Sequence, residues 1–329
     1  MAEVRWIEGA DADGWGELAG LFTLRVREGL PDERPTSADE LSAAVRHAPA
    51  HLRHFQVLAI ERGEVAGGAA FGMSSNRPTS AWMLFLFVPP EHRRRGVGSC
   101  LLSAVRNVVG AQGGERIWTH TCVGDPDATR FAERAGARPG LVVGQSRCPT
   151  ARLDPAQLRA WCERASERAA GYSLVAFDDV CPEELLDRFV AAIPIMNTAP
   201  RADAAEDFVP SRAEVRDSMA TIVDQGTRIW TVCARDDRSG EFVGYTELYF
   251  PVHRPWQAAQ GNTGVHPDHR ERGIGRWLKA HNALRLMQER RDVEFVETWN
   301  ASTNAAMVSL NQAMGFEVVA RRQEWSIPV

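Results

Sequence analysis

Apolar and polar positions along this chain follow two periods in turn, and the order in which they do so occurs twice. Apolar residues three and four apart predict helices over 13–28 and 38–53. Alternation of apolar and polar residues then predicts strands over 55–62, 64–73 and 82–88. A helix opening at 96–98, a strand over 116–122, a short helix over 128–135 and a final strand complete this half. In the second half, strands are predicted near 172–177, 228–234, 241–250 and 257–265. They are followed by a helix over 276–290, a strand over 293–299, a helix over 302–314 and a last strand over 317–327.

The repetition extends to individual residues. Phe87-Val-Pro-Pro-Glu-His-Arg93-Arg-Arg-Gly96-Val-Gly98 is answered by Gly264-Val-His-Pro-Asp-His-Arg270-Glu-Arg-Gly273-Ile-Gly275, at an offset of 270 − 93 = 177. Farther on, Gly136 is answered by Gly315, at an offset of 315 − 136 = 179. Two segments that stay in register this far indicate a tandem duplication. A length of 329 residues fits two domains of about 150 residues each. The expected division is a first module at 1–150, a helical connector at 151–171 and a second module at 172–329. The connector carries a helix start signal, Asp154 followed by Pro155.

Composition excludes more than it selects. Hydrophobic residues at 44% and charged residues at 25% describe a chain able to pack a core. A formal charge of −5 gives no electrostatic footprint for nucleic acid. No run of about 18 apolar residues predicts a membrane span. Six scattered cysteines without a Cys-x-x-Cys pair, behind an acidic N-terminal segment unlike an export signal, predict reduced thiols and a cytoplasmic location. His266 and His269 share a loop without metal-ligand spacing, so no metal is expected. Neither nucleic acid nor a membrane is therefore expected as a partner, and the expected state is a monomer or homodimer.

In each half an apolar strand runs into Arg-x-x-Gly-x-Gly and then directly into a helix. Glycines admit positive φ and close approach of the backbone, and the free amides of a helix's first turn form a cradle for a pyrophosphate. An arginine beside it adds a charge-assisted contact. Neither turn has the Gly-Lys-Ser/Thr of a nucleoside triphosphatase or the Gly-x-Gly-x-x-Gly of dinucleotide folds.

This turn resembles the coenzyme A pyrophosphate loop of the GNAT superfamily, and the later helix ending in Met314-Gly315-Phe316 resembles that superfamily's second motif. The resemblance covers roughly 55–150 and 172–329 and is stronger in the second half. There, the segments Gln260–Gly275 and Thr298–Phe316 are similar to tandem GNAT proteins of actinobacteria. The architecture is similar to that of the mycothiol synthases, in which the C-terminal module is the active one. The resemblance implies an α/β (α+β) fold of two tandem modules, each a mixed, mostly antiparallel twisted sheet flanked by helices. It also implies acetyl-CoA as cosubstrate. The coenzyme would be held by Thr263, Val265, Arg270, Arg272, Gly273, Ile274, Gly275 and Asn304 in the second copy, and by Val88, Arg93, Arg95, Gly96, Val97 and Gly98 in the first.

Acetyl transfer to an amine needs a base. Glu247 lies on the strand beside the one carrying Thr263, and strict alternation would place Val243, Tyr245, Glu247 and Tyr249 on one face. Burying that carboxylate is costly, which argues for a purpose. Asp203, Glu206 and Asp207 are the alternative carboxylates. The general acid of the family, a tyrosine on the last helix, is replaced by Asn311 here and by Ala132 in the first copy. Asn311 can donate a hydrogen bond but no proton. The expected activity is therefore acetylation of a small primary amine by direct attack on the thioester, carried by Glu247 and Asn311 in the second copy. Acylation of a protein lysine or N-terminus, and a non-catalytic acyl-CoA sensor or scaffold, are the rival readings.

Overall fold

The computed structural model of the chain describes residues 2–48, 51–75, 77–200 and 207–329, which form two compact units. The first comprises 1–142 together with 320–329, the second 143–319.

In the first unit, β1 (Glu3–Trp6), β2 (Leu52–Glu61), β3 (Glu64–Ser74) and β4 (Arg77–Phe87) form an antiparallel meander. The next strand, β5 (Arg116–Cys122), runs parallel to β4, as it must after a helical crossover through α3 (Val97–Ala111). The predicted alternation is used on both faces. On one, α1 (Ala12–Gly29) and α2 (Ala38–Arg46) cover Leu58, Phe85 and Phe87 with Trp15, Leu18 and Leu21. On the other, Leu101, Val105 and Val109, one turn apart along α3, cover Val57, Phe71 and Met83. The helix expected over 38–53 stops at Arg46, because 52–61 are recruited as β2 and pair with β3 over their whole length. α4 (Pro126–Arg134) follows β5.

The second unit repeats this plan. Strands β7 (Tyr172–Asp178), β8 (Thr227–Asp236), β9 (Phe242–Pro251) and β10 (Gln257–Val265) are antiparallel neighbours, and β11 (Phe295–Ala301) runs parallel to β10. The helices α6 (Glu183–Ala192) and α7 (Arg212–Asp224) pack Leu186, Phe189, Val215 and Met219 on one face. On the other lies α8 (Ile274–Glu289), and α9 (Ala305–Ala313) follows β11. Residues 155–168 form α5, and its Leu158 and Trp161 join the cluster of Ala280, Ala283 and Leu286. The expected connector is thus a packed helix of the second unit.

The units are bounded differently from the expected division at 150 and 171. Each half ends in a long strand, β6 (Arg138–Pro149) and β12 (Glu317–Pro328). Residues 143–149 of β6 pair antiparallel with β11, and 322–328 of β12 pair antiparallel with β5. The closing strand of each unit is therefore drawn from the other half of the sequence. Alternation fixes which side chains a strand buries but not which neighbouring edge it joins.

One further feature positions the site. β10 pairs with β11 only at Gln257–Ala259; from Gln260 onward it stays with β9 and leaves β11. A bulge between Gln260 and Thr263 bends the strand at the point of departure. In the first unit β4 and β5 part in the same way after Trp82 and Trp118.

Candidate active site

At the head of α8, Gly273 adopts a left-handed conformation (φ 84°) and Gly96 does the same before α3 (φ 86°). The first intrahelical bonds are donated by Trp277 and Cys100, so the amides of residues 274–276 and 97–99 have no backbone acceptor within their helices. Ile274 and Val97 send their side chains into the core, leaving only their amides for a ligand. The arginines are tied back alike. Arg270 donates from Nε to the Val265 carbonyl at 2.9 Å and from Nη2 to Thr198 Oγ1 at 2.6 Å. Arg93 donates from Nε to the Val88 carbonyl at 2.9 Å and from Nη2 to Glu28. Arg95 faces Glu61 at 3.3 Å, whereas Arg272 donates to the Asp268 carbonyl at the same distance. Gly98 is held open by packing, since a Cβ there would lie 3.2 Å from the Phe131 ring; beside Gly275, Val265 is at 3.7 Å.

Glu247 stands on β9 directly opposite Thr231 of β8 and is almost fully buried, on the face covered by α6 and α7. Among the described residues its Oε2 has no hydrogen-bond partner. Burial pushes the carboxyl up to about 7, while Tyr249 and the side chain and amide of Asn262 beside it draw it partly back. Asn262 is delivered by the β10 bulge. Gly261 before it has no alternative, because a Cβ there would lie 2.3 Å from the Tyr249 ring. The expected common face of Val243, Tyr245, Glu247 and Tyr249 needs a correction. Tyr245 and Tyr249 pack with the α6–α7 cluster, but Val243 turns to Ile274 and Leu278 on the other side. A register shift where Ala234 pairs Gly244 and Arg235 pairs Phe242 breaks the parity there.

Thr263 lies opposite Thr246, and its hydroxyl is 2.8 Å from that of Thr246. What it can offer a ligand is backbone. Asn304 is the N-cap of α9, its side chain accepting from the Met307 amide at 3.2 Å. It precedes the first turn of the helix. Asp125, its counterpart at 304 − 125 = 179, caps α4 in the same manner. Asn311 is buried as the centre of a polar chain. Its Oδ1 accepts from Lys279 Nζ at 2.5 Å and its Nδ2 donates to Asn300 Oδ1 at 2.6 Å. Burial holds the Lys279 ammonium down at about 7. Of the other candidates, Asp207 is exposed, and Asp203 and Glu206 lie outside the described residues.

Sequence reasoning passed over Asn262, gave Tyr249 no role beyond sharing the face of Glu247, and passed over Lys279. The first two had a signal in Gly261, an isolated glycine inside a strand pattern. Lys279 had a stronger one, since it is the only lysine in the chain and falls on the apolar face of α8.

The first module differs where the chemistry would be. Phe87 pairs with Gly68 as Gly264 pairs with Tyr245, which places Ala70 at the position of Glu247 (247 − 70 = 177). Leu102 and Ala132 stand for Lys279 and Asn311 (279 − 102 = 177; 311 − 132 = 179). Both line a cavity of about 540 Å³ running from Arg93, Gly96 and Gly98 to Phe87 and Val88. Beside the second turn, a space of about 30 Å³ lies between Trp161, Arg168, Gly273 and Arg276. Among the described residues no group of side chains is arranged to hold a metal ion, and no helix is long and apolar enough to cross a membrane.

With this geometry established, similarity to known proteins carries weight. The sequence model of the acetyltransferase (GNAT) family matches residues 18–137 and 196–316. A mycothiol acetyltransferase of Salinispora arenicola is 29% identical over 308 residues, covering 91% of this chain and 90% of its own. One from Saccharomonospora viridis is 29% identical over 335 residues, covering 97% of each. Among solved structures, a tandem GNAT protein from the clavulanic acid biosynthesis pathway superposes with a TM-score of 0.78 at 25% identity, covering 100% of this chain and 98% of that one. A GCN5-related N-acetyltransferase from Sphaerobacter thermophilus shares the fold, with a TM-score of 0.70 at 18% identity over 99% and 95% of the two chains.

Proposed function

The chain belongs to the GNAT acetyltransferase family, and on that premise we propose that its second module transfers an acetyl group from acetyl-CoA to the primary amine of a small molecule. The observation that carries this reading is Glu247: a buried carboxylate, held near neutrality, beside the gap where β10 leaves β11. Only this module has such a group, Ala70 standing in its place in the other.

Acetyl-CoA, when bound, supplies an activated thioester carbon. The amides of 274–276 and the Arg270 and Arg272 guanidinium groups receive its pyrophosphate. Backbone groups of Thr263–Val265, freed where β10 and β11 part, align its arm and polarise the thioester carbonyl. Glu247 accepts the proton of the ammonium, directly or through water, so that the neutral amine attacks. Tyr249 and Asn262 orient the carboxyl and steady its charged form. Asn311 offers its amide to the departing sulfur but no proton, and Lys279 behind it strengthens that dipole. The first module binds the coenzyme through Val88, Arg93, Arg95 and Gly96–Gly98 without turning it over. Six cysteines, all unpaired, support a reducing cytoplasmic setting.

The test is release of free thiol from acetyl-CoA in the presence of a panel of amines. A mycothiol-type compound is the first to try, given the name of the relatives. Release that depends on one small amine supports the reading. Tight coenzyme binding with no release for any amine would point instead to an acyl-CoA sensor.

A further inference from the structure

Arg25, on α1, lines the 540 Å³ cavity of the first module opposite the α3 turn. It makes no hydrogen bond and no ion pair among the described residues. The carboxylate that acts on it, Glu28, is already bound to Arg93, and Arg322 brings a second positive charge close by. Burial and Arg322 together lower the guanidinium to about 10. The side chain is half-buried and lacks a counter-ion of its own, and the face left open to it is the cavity.

The second module shows what normally occupies this position. Arg93 and Arg270 make the same pair of bonds, one to the preceding strand and one to the helical segment across the cleft. Glu28 therefore corresponds to Thr198, and Arg25, three residues earlier, corresponds to Ile195. Ile195 is buried and, with Met196, closes on Gly264, where a Cβ would lie 3.0 Å from either side chain. An apolar cap of this kind suits a methyl. In the first module α1 lies on the opposite face of the sheet from α3, so Arg25 is reached through the gap where β4 and β5 part. Phosphates have their own donors at the amides of 97–99 on the α3 side.

We propose that the cleft of the first module accepts an acyl-CoA whose acyl chain ends in a carboxylate, with Arg25 as its counter-ion. The inference rests on the reading that this module binds coenzyme A. The two modules then differ in the acyl group they take, acetyl in the second and a dicarboxylic acyl group in the first. A fork-to-fork contact between guanidinium and carboxylate supplies the selectivity.

Calorimetric binding to the full chain, carrying Arg270→Ala to silence the second module, tests this with CoA, butyryl-CoA and succinyl-CoA as probes. Succinyl-CoA is expected to bind about tenfold or more tightly than butyryl-CoA. Arg25→Met should erase that difference without weakening free CoA, and Arg25→Lys should keep part of it. Equal affinity for the two acyl-CoAs overturns the proposal, as does an equal loss of free CoA binding in Arg25→Met, which would place Arg25 on the phosphates. Arg25-dependent binding of free succinate to protein saturated with acetyl-CoA also overturns it, by assigning the carboxylate to an acceptor. If free CoA itself does not bind the Arg270→Ala protein, the coenzyme reading of the first module fails instead.

Discussion

Lys279 Nζ and Asn311 Oδ1 lie 2.5 Å apart in the interior of the second module, and no carboxylate among the described residues shares the bond. Among those residues the amide is the lysine's one hydrogen-bond acceptor, with the Phe316 ring 5.2 Å from Nζ. Asn311→Ala leaves a buried amine without an acceptor and is expected to cost about 2–3 kcal/mol. Urea unfolding at pH 6.5 measures this; a loss no larger than that of an ordinary surface substitution would show that Lys279 finds another acceptor.

Because Lys279 is the chain's only lysine, its titration can be followed without assignment. A lysine-labelled sample should show one side-chain resonance titrating near pH 7, not near the usual 10.5. Between those two values the unfolded chain holds a proton that the folded chain has released, so stability rises with pH across that window. Relative to Lys279→Met, the wild-type protein should therefore gain stability from pH 7 to 10 and show a constant difference below pH 7.

Glu247 has the opposite linkage. Its carboxyl is held at about 7, above the ordinary 4.5, so stability is lost as pH rises from about 4.5 to 7. Glu247→Gln is expected to be more stable than the wild type above pH 7, with the advantage fading toward pH 4.5. The same substitution should lower kcat/KM about a hundredfold or more and remove the rise in rate that accompanies loss of the Glu247 proton near pH 7. An unchanged pH–rate profile would transfer the role of base to another group.

Arg270→Ala and Arg93→Ala separate the modules. Turnover should collapse in the first and persist in the second, since only the second module has a carboxylate at the Glu247 position. Equal loss of turnover from the two variants would contradict the division of labour.

Gly261→Ala places a methyl 2.3 Å from the Tyr249 ring and 3.3 Å from Glu247 Cβ. The ring must move, and about 1–3 kcal/mol of stability should go with it. Thermal unfolding together with kcat reads both effects. If the bulge only terminates pairing and does not position Tyr249, stability falls and kcat stays.

What the sequence revealed was the part governed by local stereochemistry. Gly96 and Gly273 are required by positive φ at a helix head, and the turn they make can be read wherever it occurs. The role of Asn304 as the N-cap of α9 was not legible, because an amide suits an N-cap as well as a ligand and its 3.2 Å bond to the Met307 amide appears only in the fold. Val243 was assigned to the wrong face because parity counting assumes an unbroken ladder, and the register shifts beside it. Asn311 was picked out by analogy, but its partner Lys279 was not. A lysine on an apolar helix face reads as an exception to the pattern until its acceptor is seen across the core. The exchange of β6 and β12 left no trace, since both strands are equally good partners for either edge by composition.

That exchange constrains how the protein is made. The ribosome delivers residues 1–142 first, but their sheet closes only when 320–329 emerge. At roughly 5–20 residues per second, the intervening stretch takes on the order of ten to forty seconds to synthesise. Throughout that interval one edge of β5 is left open for pairing, the condition under which nascent chains associate wrongly. Separating the halves at residue 150 would leave β5 without β12 and β11 without β6, so a half produced alone would close only by folding its own last strand onto that edge or by receiving the missing one as a graft.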